Sequence, residues 1–330
     1  MARRWSDILV SPDEVKKVEQ IGMGSYKTCW RGWFRNEACA IVVPRQEKKG
    51  GGIPREAAAL LQVEKHPCIV GLLAACVDPR SGAMQLVTEL CPLGSLDVFL
   101  ERQPITGRHK IAFIQSMCHG VEGLAQAGWV HGDISARNVL VAVYNTDDPD
   151  RCVLKLCDLG RAMQPGSLTD ENVSNVPTRW AAVEVLTDRK VSQQSDIWSC
   201  AVCTWEVLSD GALPFASDES DEEVARAVCA GERLPRPQGC PIILWKEMQA
   251  CWVAEPSMRP SASELRSRLS VVRALMEQMA QRGSSAPKPF EEQGSWRRGV
   301  VLAGRLVRAA KQEITPKPAS MASVAAAVLE

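Results

Sequence analysis

The first ninety or so residues carry short apolar runs separated by polar or glycine-containing turns. Residues 15–21, Ala38-Cys39-Ala40-Ile41-Val42-Val43, Cys68-Ile69-Val70-Gly71-Leu72-Leu73 and Met84-Gln85-Leu86-Val87-Thr88 read as strands of a small sheet. Between them, Glu56-Ala57-Ala58-Ala59-Leu60-Leu61-Gln62-Val63 is built of strong helix formers, with Leu60 one turn after Glu56, and predicts a helix. Further on, residues 111–126 predict an amphipathic helix that leads into a polar loop, residues 131–138. Apolar Trp129-Val130 precedes that loop and Val139-Leu140-Val141 follows it, so Asp133 and Asn138 hang between two buried segments and face one cavity. Residues 144–151 read as a solvated polar hairpin, lacking the glycine and final glutamate of a calcium loop. An apolar strand, residues 153–157, then closes on Asp158-Leu159-Gly160. Helical patterns and turns alternate from there to about Met279.

Composition narrows the class. Of 330 residues, 45% are hydrophobic and 24% charged, the balance of a soluble globular protein. Acidic and basic residues stand at 39 each, so no overall field attracts nucleic acid or an anionic membrane. No apolar run approaches the roughly 20 residues that span a bilayer. The N-terminus turns acidic after its first basic residues, which does not suit a signal peptide. The 13 cysteines are odd in number and mostly lie singly in apolar runs; Cys200 and Cys203 have CxxC spacing but no second pair to complete a zinc site. They read as reduced core thiols, and the chain as cytoplasmic.

The candidate chemistry lies in the turns. Gly22-Met23-Gly24 lets backbone amides approach a phosphate. His131-Gly132-Asp133 with Asn138 resembles the catalytic loop H-R-D-L-x-x-x-N of protein kinases, with Gly132 in place of the arginine. Asp158-Leu159-Gly160 resembles D-F-G, and Ala182-Val183-Glu184 stands where A-P-E is expected. Asp196, in Ser195-Asp196-Ile197-Trp198, and Arg259, in Arg259-Pro260, match two further family positions. In this order over residues 12–278, the motifs resemble the protein kinase superfamily.

That resemblance implies an α+β, bilobal fold: a small antiparallel-sheet N-lobe with one main helix, about 12–90, and a mainly helical C-lobe, about 91–278. Residues 1–11 would be a lead-in and 279–330 a linker and basic tail. It also implies roles. Asp133 orients the acceptor hydroxyl, and Asn138 and Asp158 hold Mg2+ (or Mn2+) between the phosphates of ATP. The nucleotide lies among Ile21, Gly22, Met23, Gly24, Ser25, Lys27, Cys29, Ala40, Thr88, Glu89, Cys91 and Leu140. Glu56 is the helix carboxylate that pairs with the phosphate-binding lysine, Glu184 pairs with Arg259, and Asp196 props the catalytic-loop backbone, with His131 of that loop counted among the structural positions.

The V-A-I-K lysine of that family is absent, because Val42 stands in its position. Alternation along the second strand puts Lys27 on the face of Cys29, one pleat nearer the phosphates. This resembles the with-no-lysine kinases, whose lysine comes from the glycine-rich hairpin, and it makes Lys27 the candidate phosphate ligand. Ser135-Ala136-Arg137-Asn138 and Pro177-Thr178-Arg179-Trp180 look like tyrosine kinases, and the general cast also fits the tyrosine-kinase-like serine/threonine group. The expected activity is transfer of the γ-phosphoryl of ATP to a Ser/Thr or Tyr hydroxyl of a protein substrate; the alternative is a catalytically weak or inactive pseudokinase that acts as a binding scaffold. Beyond the linker at 283–289, residues 296–311 mix arginines with valines and leucines, a basic amphipathic pattern suited to a membrane surface or a calmodulin-like partner.

Overall fold

Two antiparallel hairpin connections build the first three strands, β1 (Val15–Met23), β2 (Lys27–Phe34) and β3 (Glu37–Pro44). The β2–β3 turn places Arg35 and Asn36 at φ 49° and 66°, the pair of positive values that a two-residue hairpin with right-handed strand twist requires. The computed structural model describes residues 4–24, 27–45, 54–63, 65–164, 176–217 and 220–281. After β3 come α1 (Arg55–Gln62), β4 (Leu72–Val77) and β5 (Met84–Glu89), and the five strands lie in the order β1-β2-β3-β5-β4. Pleating splits the sheet's apolar residues between two cores. Cys39, Ile41, Ala74 and Val87 form a small cluster on one face. Val42, Leu86 and Ala75 join the larger core on the other face, together with Ala57, Ala59 and Leu60 of α1.

Two stretches depart from the sequence reading. The apolar run at 68–73 is strand only from Leu72 onward. Its first half crosses to the helical lobe, where Leu156 N–H donates to the Cys68 carbonyl and Val70 N–H to the Leu156 carbonyl, each at 2.9 Å. Glycines make room for it: a Cβ on Gly120 would sit 2.5 Å from the Cys68 oxygen, and one on Gly123 2.6 Å from the His66 ring. The segment before residue 12 is also tied down. Ile8 is fully buried, and Leu9 bridges Ala75 in parallel along the outer edge of β4, covering unpaired backbone there.

The helical lobe holds α2 (Leu96–Arg102), α3 (Gly107–Gln126), the ribbon β6 (Val139–Val143) and β7 (Val153–Leu156), then α4 (Val183–Asp188), α5 (Gln193–Leu208), α6 (Asp221–Cys229), α7 (Ile242–Cys251) and α8 (Ala262–Gln281). Its axis is α5, buried almost throughout from Ser195 to Leu208, including Cys200 and Cys203. Helix α3 starts a turn earlier than the apolar pattern predicts, because polar His109 and Lys110 lie buried in its first turn. The Lys110 Nζ donates to the Leu208 carbonyl at 3.1 Å and pairs with Asp210 at 2.8 Å, placing a cation at the negative end of α5. Tyr144 also turns inward, its ring 5.1 Å from those of Phe99 and His109. Asn145 Oδ1 meanwhile accepts from the amides of Asp147 and Asp148 as a turn. All thirteen cysteines carry free thiols, and only Cys229 is exposed.

Candidate active site

The catalytic loop is held from beneath by α5. Both Asp196 oxygens accept backbone amides, His131 N–H at 2.6 Å and Gly132 N–H at 2.9 Å. Burial pushes this carboxyl up to about 6, with the two amides pulling against it. His131 is fully buried; its Nδ1 accepts from the Asp133 amide at 3.2 Å, so Nε2 carries the proton and donates to the Cys157 carbonyl at 3.1 Å. These bonds join the loop to the strand end that carries Asp158. Gly132 has φ +74°, a conformation that a side chain would strain.

At the rim, Asp133 Oδ1 receives Arg137 Nη2 at 2.6 Å, and the Asp133 carbonyl accepts from Asn138 Nδ2 at 2.8 Å. With its amide nitrogen engaged, Asn138 keeps its oxygen as the acceptor end. Asp158 follows β7 in the left-handed region at φ +59°, which aims its carboxylate at the opposite lobe.

Three chain-distant charges meet across the cleft. The Lys27 Nζ lies 2.6 Å from Asp158 Oδ1 and 3.0 and 3.3 Å from the two Glu56 oxygens. The β2–β3 register pairs Lys27 with Pro44 and Cys29 with Val42, so all four project from one face and Lys27 sits one pair beyond Val42. Val42 itself packs into the α1 core. Burial alone would lower the lysine's pKa, but Glu56 and Asp158 outweigh it and hold the ammonium charged. Burial raises the Glu56 carboxyl, with Lys27 acting against it.

The remaining predicted nucleotide residues line the same cleft to differing degrees. Ala40 pairs with Thr88 across β3 and β5, and both are buried. Gly22 stands opposite Cys29, and Gly24 N–H closes the hairpin onto the Lys27 carbonyl at 2.8 Å. Ile21 and Met23 are exposed. Cys91 is buried, its thiol pushed up to about 12. Leu140 is half-buried on β6, opposite Lys155. Ser25, the activation-segment residues Ser167, Thr169 and Ser174, and the tail at 296–311 lie outside the described residues.

Glu184 and Arg259 form a bidentate pair at 2.7 and 2.8 Å. The fully buried guanidinium also donates to the carbonyls of Val253, Gln194 and Ala254 and stacks 5.0 Å from the Trp198 ring.

Sequence reasoning missed two charged groups beside the site. Lys155 Nζ lies 2.8 Å from Glu89, whose carboxylate also accepts the Gly71 amide at 2.6 Å, fastening the strand end that leaves the sheet. Glu206 of α5 accepts from Ala136 of the catalytic loop and from Trp180. Both are lone charges in apolar surroundings, a signal visible in the residue string.

A two-lobed α+β body with a sheet above, helices below, and this set of polar groups in the cleft defines the protein kinase class. Comparison with known proteins agrees. The family model for protein tyrosine and serine/threonine kinases matches residues 15–269, and the chain belongs to that family. It is 30% identical over 263 residues to tyrosine-protein kinase TXK of Homo sapiens and 31% over 266 residues to its Mus musculus counterpart. Each match takes in 78% of this chain but 48% of the relative, so the chain spans about half the length of these relatives. The likeness to them is of the tyrosine kinase type. Among the described residues no helix is long and apolar enough to cross a membrane.

Proposed function

We propose that this chain is an active protein kinase that transfers the γ-phosphoryl of ATP to a protein hydroxyl, with Lys27 as its phosphate-binding cation. The contact of Lys27 with both Glu56 and Asp158 carries this reading. A charged ammonium held between two carboxylates is preorganised, so phosphate oxygens meet a fixed positive charge rather than a solvated one. Asp133 would accept or orient the acceptor's hydroxyl proton, with Arg137 and the His131 bond fixing its direction.

The donor set fits magnesium. Asn138 and Asp158 are two hard oxygen ligands, the number magnesium takes from protein when phosphates supply the rest. Among the described residues no cluster of three or more acidic, His or Cys groups offers a cage that would hold a metal without nucleotide. When bound there, magnesium would neutralise phosphate charge.

Ser135 stands where serine/threonine kinases usually carry a lysine, and with the Arg137-Asn138 tail and the Trp180 segment beside Arg137 it favours tyrosine or mixed acceptors. The competing reading is a scaffold that binds partners without turnover. It rests on Val42, which fills the usual cation position and packs as core. Radiolabelled ATP with generic tyrosine and serine substrates separates the two. Turnover that needs a divalent metal and is lost in Asp133→Asn supports the kinase; none in the parent leaves the scaffold.

A further inference from the structure

Helix α8 carries an apolar stripe that the described residues leave largely open. Leu265, Leu269 and Val272 are buried and Met276 packs against the same core, so this face seats the helix on the lobe. Val271, Leu275 and Met279 recur at steps of four and share the neighbouring face. They are 60%, 43% and 57% exposed. The long side chains able to fold over them are engaged elsewhere. Arg266 pairs with Glu122, Arg268 with Glu247, and Arg273 with Gln115 and Glu277. A single exposed apolar residue is ordinary, but three in register on a helix whose arginines turn away mark a contact surface.

The chain itself supplies a partner for that surface. Helix α8 ends at Gln281, just past Met279, and residues 282–330 follow. Among them Trp296, Val300, Ala303, Val307 and Ala310 recur at alternating steps of four and three, the spacing that lays one helix along another. On a helix Leu306 would flank that seam, and Arg297, Arg298, Arg305 and Arg308 would point away from it. Ser295 stands at the N-cap position of such a helix. Gly299 and Gly304 make the segment a poor helix by itself, so it would form only as it docks. A coil of residues 282–295 would span roughly 20 Å, enough to turn back and run antiparallel at the ~8–10 Å separation of packed helices. A tether of that length holds the segment at an effective concentration on the order of millimolar, an advantage that a second copy of the chain lacks.

We infer that residues 296–311 dock as an antiparallel amphipathic helix on the Val271–Leu275–Met279 stripe of α8, with their arginines left facing solvent. The three stripe residues carry no charge, so the basic face needs no acidic partner and stays hydrated. Docked in this way, the segment hides the apolar face that a lipid surface would need. The inference goes beyond the phosphotransfer reading and does not depend on it.

Amide exchange in the full chain tests it, without lipid and at low and high protein concentration. Residues 296–311 should exchange at least about tenfold more slowly than a free peptide of the same sequence, equally at both concentrations. Leu275→Asp should return them to the free-peptide rate with α3 and α5 unchanged, and Leu275→Met, which stays apolar, should keep the protection. Val307→Asp should abolish the protection from the other side and speed exchange at residues 271–281. Should Leu275→Asp loosen α3 and α5 as well, Val307→Asp decides, because it leaves α8 itself untouched. Free-peptide rates in the parent, or protection that persists in both aspartate variants, would overturn the assignment. Protection confined to high concentration would give the stripe to a second copy of the chain. Protection that appears only on adding phosphatidylserine vesicles would give the segment to a membrane surface, and either result rejects docking on α8 of the same chain.

Discussion

On the sheet side of the cleft, Lys27 on a hairpin places its ammonium against Glu56 and Asp158, and in the function proposed above its reach matters more than the strand it comes from. On the helical side, the buried charges Asp196, Glu206 and Arg259 are locked onto backbone amides or carbonyls. Asp196 bonds two amides, Glu206 one amide and an indole, and Arg259 three carbonyls besides Glu184. The difference is physical. An ammonium on a four-carbon stem is a point charge that tolerates a shifted anchor. A carboxylate satisfying two fixed N–H groups does not, because moving it leaves buried donors unpaired. The motif residues that depart from the kinase pattern on the sheet side thus involve a replaceable point charge. On the helical side Gly132, Leu159 and Val183 also depart, but the retained Glu184 and Arg259 sit in fixed, many-partnered geometry.

The largest effect tests the rigid half. Arg259→Met removes a fully buried guanidinium and strands its largely buried partner Glu184. It should cost about 3–5 kcal/mol of stability, read as a fall in the urea midpoint at constant slope. Arg259→Lys should recover little, since a lysine lacks the planar fork that serves Glu184 and three carbonyls together. A variant with lysine as stable as the parent would erase the contrast between the two walls.

The movable half should behave otherwise. Lys27→Met should lower single-turnover phosphotransfer by about two orders of magnitude, roughly 2.7 kcal/mol of transition-state stabilisation, with the fold intact. Val42→Lys alone should add little, because Val42 and Lys27 project from one face and two ammonium groups would repel. Lys27→Gly combined with Val42→Lys should regain part of the loss, since Glu56 and Asp158 remain to receive the new cation. Undiminished turnover in Lys27→Met would sink the relocated-lysine reading. On the metal side, Asp158→Asn should abolish the extra thermal stabilisation that ATP gains from magnesium.

Legibility in the sequence followed how local each signal is, on both sides of the cleft. Strands, α1, the catalytic loop and Asp158 could be read because polar residues there interrupt apolar runs at turns. The helix start at Gly107 was hidden by buried His109 and Lys110, whose polarity imitates a surface. The run at 68–70 was apolar for packing on α3, and periodicity cannot distinguish that from a strand. Glu206 and Lys155 escaped because their partners are backbone groups or residues far along the chain. The cleft-facing position of Lys27 was read from strand alternation together with the resemblance to the with-no-lysine kinases, since one face of one strand is a local property.

A smaller effect is expected at Gly132. Its φ of +74° and its amide, fixed by Asp196, leave an added side chain no relaxed conformation. Gly132→Ala should cost about 1–2 kcal/mol of stability, seen as a lowered midpoint. Glycine also provides no side chain to receive a phosphate from the activation segment, so phosphatase treatment should leave activity unchanged. Activity that vanished on treatment and returned on phosphorylation of Thr178 or a neighbouring serine would contradict this.

The smallest effect lies at the seam between the lobes, where His66 of the sheet side meets α3. Its ring is 4.5 Å from that of His119, with Glu122, Arg266 and Lys155 nearby. Burial, then the neighbouring His119 and Arg266, lowers the His66 pKa to about 4 from an ordinary 6.5, and Glu122 opposes them. The unfolded chain therefore takes up protons that the folded one refuses. The stability tied to this ring is complete above pH 6.5 and lost as pH falls towards 4. Asp196 and Glu206, pushed up to about 6 and 7, act with the opposite sign, because the folded protein binds their protons first. The parent's own pH curve mixes the two, so the seam must be read by difference. His66→Asn keeps an acceptor for the Cys68 amide, which His66 Nδ1 now receives at 3.2 Å, and removes the titration. Relative to the parent, the urea midpoint of this variant should rise steadily between pH 7 and pH 5, modestly, because the ring is only half-buried and water screens its charge. A difference that stayed flat across that window would show that His66 titrates in the folded protein as it does in the unfolded chain, and that the seam carries no acid sensitivity of its own.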